Sequence, residues 1–132
     1  MPDWDVYNVT FMELAFYNRT NFDADISDWD VSNVTNMAGM FHLAESFNQY
    51  IGDWDVSNVT DMTGMFDQAT SFNQDISVWN VSNVTNMLGM FAFSNLNTNT
   101  YDAILQGWAT QDLNIGLNLG SQSLNYLSLI HI

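Results

Sequence analysis

The chain of 132 residues contains no cysteine and no lysine, and arginine occurs once, as Arg19. The absence of cysteine excludes disulfides, thiolate metal sites and a cysteine nucleophile. Fifteen Asp and Glu residues give a formal net charge of −14 at pH 7. A surface of this charge repels phosphate backbones and anionic lipid headgroups. We therefore expect no binding to nucleic acid or to membrane surfaces.

Long apolar runs are also missing, so the sequence predicts no transmembrane segment. The first residues, Met1 to Trp4, lack the basic and apolar regions of a signal peptide. We expect the chain to be a fragment of a larger protein. The last six residues, Leu127 to Ile132, can be encoded by the adaptor end that is used in transposon-based sequencing libraries. Our hypothesis is that these six residues are an artefact.

The dominant feature that is present is a repeat of 25 residues. Tryptophan recurs at this spacing as Trp4, Trp29, Trp54 and Trp79, and several other apolar positions recur in step with it. Side chains held at one period are expected to form a shared interior. The expected core of the repeats consists of Trp29, Trp54, Trp79, Val34, Val59, Val84, Met37, Met62, Met87, Phe41, Phe66, Phe91, Phe47, Phe72, Ile51 and Ile76.

The pattern inside one repeat predicts a short helix and a short strand. Met37, Met40, Phe41 and Ala44 lie at i, i+3, i+4 and i+7, which is one face of a helix. Residues 47–54 are predicted to be extended, with a turn after them. One strand and one helix in 25 residues bury little alone, whereas stacked copies bury a continuous core. The predicted fold class is therefore α/β, a β-α solenoid.

Four repeats are predicted at about 1–21, 22–46, 47–71 and 72–94, followed by a different segment at 95–120. There Tyr101, Ile104, Leu105 and Trp108 indicate an amphipathic helix, capped by Asn99 or Thr100. The alternation of Leu113, Ile115, Leu117 and Leu119 indicates a strand. This helix and strand are interpreted as a C-terminal cap, and residues 121–132 as a tail. The first repeat has no such cap, so we expect the chain to self-associate through it.

Two columns of acidic residues provide the candidate metal site. Asp28 and Asp53 occupy one repeat position, and Asp30 and Asp55 another. Carboxylates of neighbouring repeats repel each other, and Ca²⁺ would relieve that repulsion. The alternative is that these side chains are solvated, or accept backbone N–H bonds in the turn. The spacing matches no known calcium loop, and we expect no other cofactor.

The remaining polar residues indicate binding rather than catalysis. Serine recurs at one repeat position as Ser32, Ser57 and Ser82, but His42 and His131 do not recur. No Ser/His pair is therefore predicted, and the chain is not expected to be an enzyme. Repeated tryptophan is more typical of a core than of a sugar platform. Tyr7, Phe11 and Tyr50 break the repeat. These three are the candidates for exposed contacts.

The segment FNQDISVWNVSNVTNMLGMF at residues 72–91 resembles the BspA-like bacterial surface-protein repeat, also called the mycoplasma-type lipoprotein repeat. The resemblance covers all four repeats and implies a right-handed solenoid related to leucine-rich repeats. It also implies an extracellular or cell-surface location, and adhesion or binding to an unknown protein or glycan on another cell or the host. The alternative function is a structural spacer or stalk without its own ligand, which Ca²⁺ bound at the acidic columns would stiffen.

Overall fold

The computed structural model describes residues 4–113, and its one helix is α1, Thr98–Ala109. Strand pairing within these residues is limited to isolated parallel bridges, which join Phe11 to Asn36, Asn36 to Asp61 and Asp61 to Asn86. The remainder consists of turns, bends and irregular backbone. The predicted right-handed, leucine-rich-repeat-like β-α solenoid is therefore wrong. Neither the strand at 47–54 nor the helix at 37–44 forms.

The backbone hydrogen bonds explain why no helix forms within a repeat. N–H groups in repeats 1 to 3 alternate between two directions. In the second repeat, Met40, His42 and Ala44 donate to the carbonyl three residues earlier. Every other N–H donates to the third repeat instead: Met37 to Asp61, Gly39 to Thr63, Phe41 to Met65 and Leu43 to Asp67, at 2.8–2.9 Å. Because half of the donors point to the next repeat, the i to i−4 ladder of an α-helix cannot be completed.

The left-handed conformation of two residues per repeat makes this alternation possible. In the second repeat they are Gly39 and Leu43, each with φ of 61°. A left-handed residue interrupts a right-handed helix, and glycine adopts it without a steric penalty. In the third repeat the equivalent glycine is Gly64. Close packing does not require a glycine there, since an added Cβ would meet nothing nearer than 3.8 Å. Gly64 thus serves the backbone conformation alone, whereas at Gly39 a Cβ would also meet the Leu14 side chain, at 2.6 Å.

Equivalent side chains lie over one another in columns. Neighbouring rings of the main phenylalanine column are 5.5 Å apart for Phe41 and Phe66 and 5.8 Å for Phe66 and Phe91, each nearly parallel. Trp54 and Trp79 stack at 6.5 Å with an interplanar angle of 4°. These distances lie within the range of favourable aromatic pairs. Every residue of the expected repeat core is buried in the structure.

Polar side chains reinforce the stack from outside the core. Asn33, Asn58 and Asn83 each donate an amide N–H to a carbonyl of the preceding repeat, at 2.6–2.7 Å. The acceptor of each amide is therefore a main-chain carbonyl. Such bonds hold neighbouring repeats in one register, since a slip would leave every amide without its acceptor.

Tryptophan indoles link the repeats to α1. Trp54 Nε1 donates to the Ile26 carbonyl at 3.1 Å, and Trp79 Nε1 donates to the Ile51 carbonyl at 2.9 Å. Trp108 of α1 makes the same bond to the Ile76 carbonyl, at 3.1 Å. The helix therefore supplies the indole that a further repeat would supply, although its backbone is different.

The helix α1 begins two or three residues earlier than the sequence suggested. Its N-cap is Asn97, whose side chain accepts the N–H groups of Asn99 and Thr100, the two residues that were proposed as caps. Tyr101, Ile104, Leu105 and Trp108 are fully buried, as expected of the core-facing side. Of the strand predicted after it, only Leu113 lies among the described residues, where it packs against the core. The rest of that strand and the tail at 121–132 lie outside them.

No helix among residues 4–113 has both the length and the apolar character needed to cross a bilayer. This agrees with the sequence-based expectation for that part of the chain. The twelve residues of α1 extend roughly 18 Å, well short of a hydrocarbon core of about 30 Å.

Candidate interaction surface

Asp30 and Asp55, of one acidic column, accept hydrogen bonds within the turns of the repeats. Asp30 Oδ1 accepts the Ser32 hydroxyl at 2.6 Å and the Ser32 N–H at 3.0 Å. Asp55 makes the same pair of bonds to Ser57. Both hydrogen bonds lower the pKa of the carboxyl below its ordinary value, and the bond from the serine hydroxyl has the larger effect. These hydrogen bonds match the turn alternative that the sequence left open.

The geometry gives the calcium hypothesis no support. Asp28 and Asp53 are exposed, and Asp53 lies 3.5 Å from the Tyr50 hydroxyl. Within residues 4–113, no three Asp, Glu, His or Cys side chains are grouped so that they could hold a metal ion. The site at Asp28, Asp30, Asp53 and Asp55 therefore stays a prediction that rests on the sequence alone.

The one described histidine is held within the stack. His42 Nδ1 lies 3.0 Å from the Asp67 carbonyl oxygen and 3.6 Å from Asp67 Oδ2. The Tyr17 ring stacks on the imidazole at 5.2 Å. His42 thereby bridges the first and third repeats. The Ser32 and Ser57 hydroxyls are donated to the carboxylates of Asp30 and Asp55, and the Ser82 hydroxyl to the amide oxygen of Asn80. The structure shows no Ser–His hydrogen bond among these groups.

The exposed apolar side chains concentrate in the first repeat. Five large ones occur within residues 4–17: Trp4 is 56% exposed, Tyr7 53%, Phe11 70%, Leu14 50% and Tyr17 46%. Over the other described residues, Tyr50, Val78, Leu88 and Phe93 are the exposed large hydrophobic residues. A concentration of apolar surface on a strongly acidic protein is typical of a binding surface.

The later repeats carry polar or small residues at the same positions. Where the first repeat has Tyr7, the others have serine, and where it has Phe11 they have Asn36, Asp61 and Asn86. Glycine replaces Leu14, and histidine, aspartate or alanine replaces Tyr17. The apolar residues are therefore particular to the first repeat. The name "repeat 1 surface" is used below for Tyr7, Phe11, Leu14 and Tyr17.

The repeat 1 surface faces the side of the stack. The equivalent positions in the second repeat, Ser32, Asn36 and His42, remain partly exposed although they have a repeat on either side. Residues in these positions therefore point away from the stack axis. Leu14 differs, because its side chain lies over Gly39, where a Cβ would come within 2.6 Å of Leu14 Cδ2.

Two grooves mark the open end of the stack. One is lined by Trp4, Phe16 and Phe22 together with Arg19, the single cationic side chain of the chain. The other lies between Trp4 and Phe11, with Phe16 and Trp29 along it. Both grooves are lined by residues that belong to the aromatic columns.

Sequence reasoning identified part of this surface. Tyr7 and Phe11 were candidates for exposed contacts, and both are more than half exposed. Tyr50 was also a candidate and is 43% exposed, with its ring over Gly52. Partial burial, followed by the charge of Asp53, raises the pKa of its hydroxyl. Leu14 and Tyr17 were missed. The same comparison between repeats that found Tyr7 would have found them.

Comparison with known proteins gives one family match. The model of the family described as "Mycoplasma protein of unknown function, DUF285" matches residues 1–111. The match covers the four repeats and α1. A search of curated proteins and a search of solved structures gave no match.

Proposed function

Since the chain belongs to the mycoplasma repeat family DUF285, we propose that it is a non-enzymatic binding module at the bacterial cell surface. Its role is adhesion, through a protein or glycan on another cell or on the host. The resemblance of residues 72–91 to bacterial surface-protein repeats supports the extracellular location. The repeat 1 surface supports the binding role and is the observation that carries this proposal.

Exposure of the repeat 1 surface to water costs free energy. Replacing polar side chains by Tyr7, Phe11 and Tyr17 adds apolar area to water without adding contacts within the core. Tyrosine is among the residues that dominate the binding energy of protein interfaces, because it combines a rigid apolar ring with a hydroxyl. The neighbouring acidic surface repels other acidic molecules, which restricts the partners that can approach.

The test uses three substitutions that the chain itself has already accommodated in later repeats. The triple variant Tyr7→Ser, Phe11→Asn and Tyr17→His carries the second-repeat residue at each position. The matched control is Val78→Asp, which removes an exposed apolar residue elsewhere and restores the aspartate of the preceding repeats. Each labelled protein is titrated onto cultured epithelial cells and onto bacterial cells, before and after protease treatment or periodate oxidation.

We expect saturable binding by the parent chain and by the Val78→Asp control. The triple variant should bind at least about tenfold more weakly, since single aromatic contacts at such interfaces contribute more than about 1 kcal/mol. Loss of binding after protease would identify a protein partner, and loss after periodate a glycan. Equal binding by the triple variant and the parent contradicts the proposed role of the repeat 1 surface.

The second candidate function is a spacer without a ligand of its own. The regular polar exterior of the later repeats favours it, because the Asp30 and Asp55 turns and the Asn33 and Asn58 amides are all engaged within the stack. A spacer would show no saturable binding to any of the cells. Self-association through the first repeat also remains a prediction, which sedimentation over a range of concentrations would test.

A further inference from the structure

The turns of the fourth repeat carry an apolar patch of their own. Leu88 is 52% exposed and Phe93 is 56% exposed. The third repeat has Thr63 and Gln68 at the equivalent positions, so the stack does not require apolar side chains there. Exposed apolar area costs free energy until a partner covers it, and a concentration of it is typical of a binding surface. Leu88 and Phe93 are called the repeat 4 patch below.

The repeat 4 patch lies on the same side of the stack as most of the repeat 1 surface. Equivalent N–H groups donate across each junction on this side, for example from Leu14 to the Ala38 carbonyl at 2.9 Å and from Gly64 to the Leu88 carbonyl at 3.0 Å. The segment that holds the repeat 4 patch is therefore in register with the segment that holds most of the repeat 1 surface. Three repeat spacings separate them, about 14 Å.

Carboxylates lie between the two apolar ends of this side. Asp61 and Asp67 of the third repeat are partly exposed, and Glu13 of the first repeat is exposed. The cationic group nearest to Asp67 is the His42 imidazole when it is protonated, with Nδ1 at 3.6 Å from Asp67 Oδ2. Lysine and arginine do not occur in residues 11–18, 36–43, 61–68 and 86–93. A partner that lies along this side is therefore favoured if its centre is positively charged.

We propose that this side of the stack binds an extended, basic segment of a partner protein. In an extended chain every second side chain points to the same face, and residues i and i+4 are about 14 Å apart. An apolar residue at i, Arg or Lys at i+2 and an apolar residue at i+4 would therefore reach the repeat 1 surface, the carboxylates and the repeat 4 patch together. The inference rests on the proposed function, because it uses the repeat 1 surface and names the class of partner.

A basic protein segment fits this side better than two other occupants. A neutral glycan offers no cationic group to the carboxylates of Asp61 and Asp67. A second copy of this chain carries a net charge of −14 and a single arginine, so two copies repel each other. An extended basic segment supplies both the apolar ends and the missing charge.

The test titrates the full chain into a fluorescently labelled peptide, Gly-Phe-Ser-Arg-Ser-Leu-Gly, and follows the fluorescence anisotropy of the peptide. One control peptide has Glu in place of Arg. The second control exchanges Arg with the Ser before it, which moves the cation to the opposite face of the extended peptide.

Two double variants of the chain use residues that its own repeats already carry. Leu88→Thr with Phe93→Gln introduces the third-repeat residues, and Asp61→Asn with Asp67→Ala introduces the fourth-repeat residues. Val78→Asp is the matched control, since it changes an exposed residue outside this side.

We expect saturable binding of the peptide by the parent chain and by the Val78→Asp control. The Leu88→Thr, Phe93→Gln variant should bind it at least about tenfold more weakly. The Asp61→Asn, Asp67→Ala variant should lose about threefold or more, and added salt should reduce that difference. Both control peptides should bind more weakly than the first peptide. Equal binding by the parent and the two double variants, or equal binding of the Glu peptide, overturns the proposal.

Cell binding separates this inference from the proposed function. The Leu88→Thr, Phe93→Gln variant keeps the repeat 1 surface and should bind cells more weakly than the parent. If it binds cells as tightly as the parent while the Tyr7, Phe11 and Tyr17 triple variant does not, the inference is wrong and the proposed function stands. If the triple variant also binds as tightly as the parent, the proposed function fails, and the inference fails with it.

Discussion

Truncation of Trp54 probes the stacked core at its centre. Trp54 is 4% exposed, stacks on Trp79 at 6.5 Å and lies 6.4 Å from the Phe41 ring. The substitution Trp54→Ala removes these contacts and leaves a cavity, at a cost of about 3–5 kcal/mol. It also leaves the Ile26 carbonyl without the indole donor, which adds about 1 kcal/mol. A domain of this size is stable by about 5–15 kcal/mol in total.

The assay is urea unfolding followed by circular dichroism, with two controls that separate the causes. Trp54→Phe keeps an aromatic ring in the column but removes the indole N–H, so it should cost less than the alanine variant. Trp4→Ala makes the same truncation at the end of the column, where the side chain is more than half exposed, and should cost clearly less than Trp54→Ala. If Trp54→Ala lowers the free energy of unfolding by less than about 1 kcal/mol, Trp54 is not a core residue.

Three further substitutions test individual contacts. Ser94→Ala should stabilise the chain by about 1–3 kcal/mol in thermal unfolding, because the Ser94 hydroxyl is buried without a partner. The equivalent residues of the two preceding repeats, Ala44 and Ala69, are buried alanines. Lower stability of the variant would contradict this. Gly107→Ala should lower the melting temperature although alanine favours helices, because the new Cβ would lie 2.6 Å from the Ser77 carbonyl oxygen. A higher melting temperature would show that α1 can shift to make room. Ser57→Ala should raise the pKa of Asp55, measured by NMR titration, and an unchanged value would exclude the hydroxyl as the cause.

The direction of the pH effect follows from the same pKa shifts. Asp25, Asp30 and Asp55 each have a pKa that a serine hydroxyl lowers below the ordinary value. A carboxyl with a lowered pKa in the folded state stabilises the fold above its unfolded pKa of about 3.9. That stabilisation is lost as the pH falls through the lower, folded pKa. The Ser57→Ala variant should therefore lose less stability than the parent chain in this acid range.

The sequence predicted correctly which side chains are buried, but not the backbone conformation within a repeat. A strict period identifies positions that are equivalent in every repeat, and burial follows because equivalent positions share one environment. The fully buried Phe41, Phe66 and Phe91 belong to such a set. The i, i+3, i+4 spacing that gives a helix was present as well, but this spacing does not determine the direction in which the N–H groups point.

The error in the fold class has an identifiable physical origin. Met37, Met40, Phe41 and Ala44 match one face of a helix, but the same spacing also arises when i to i−3 turns follow one another. Gly39 was the informative residue, since it recurs at the same point of repeats 2 to 4 and has positive φ in each. Leu43 and Gln68 adopt positive φ as well, and their side chains gave no indication of it.

The candidate surface could be predicted only where the first repeat departs from the others. Tyr7 and Phe11 were found in this way, and Leu14 and Tyr17 could have been.

The central claim is that the backbone of each repeat is bonded to the next repeat, 24 residues further along the chain. Scalar couplings across hydrogen bonds, measured by NMR on the isotope-labelled chain, test this most directly. The account predicts couplings from the amide nitrogens of Gly39, Phe41 and Leu43 to the carbonyl carbons of Thr63, Met65 and Asp67. Couplings from the same nitrogens to carbonyl carbons four residues earlier would indicate a helix within the repeat, and would contradict the account.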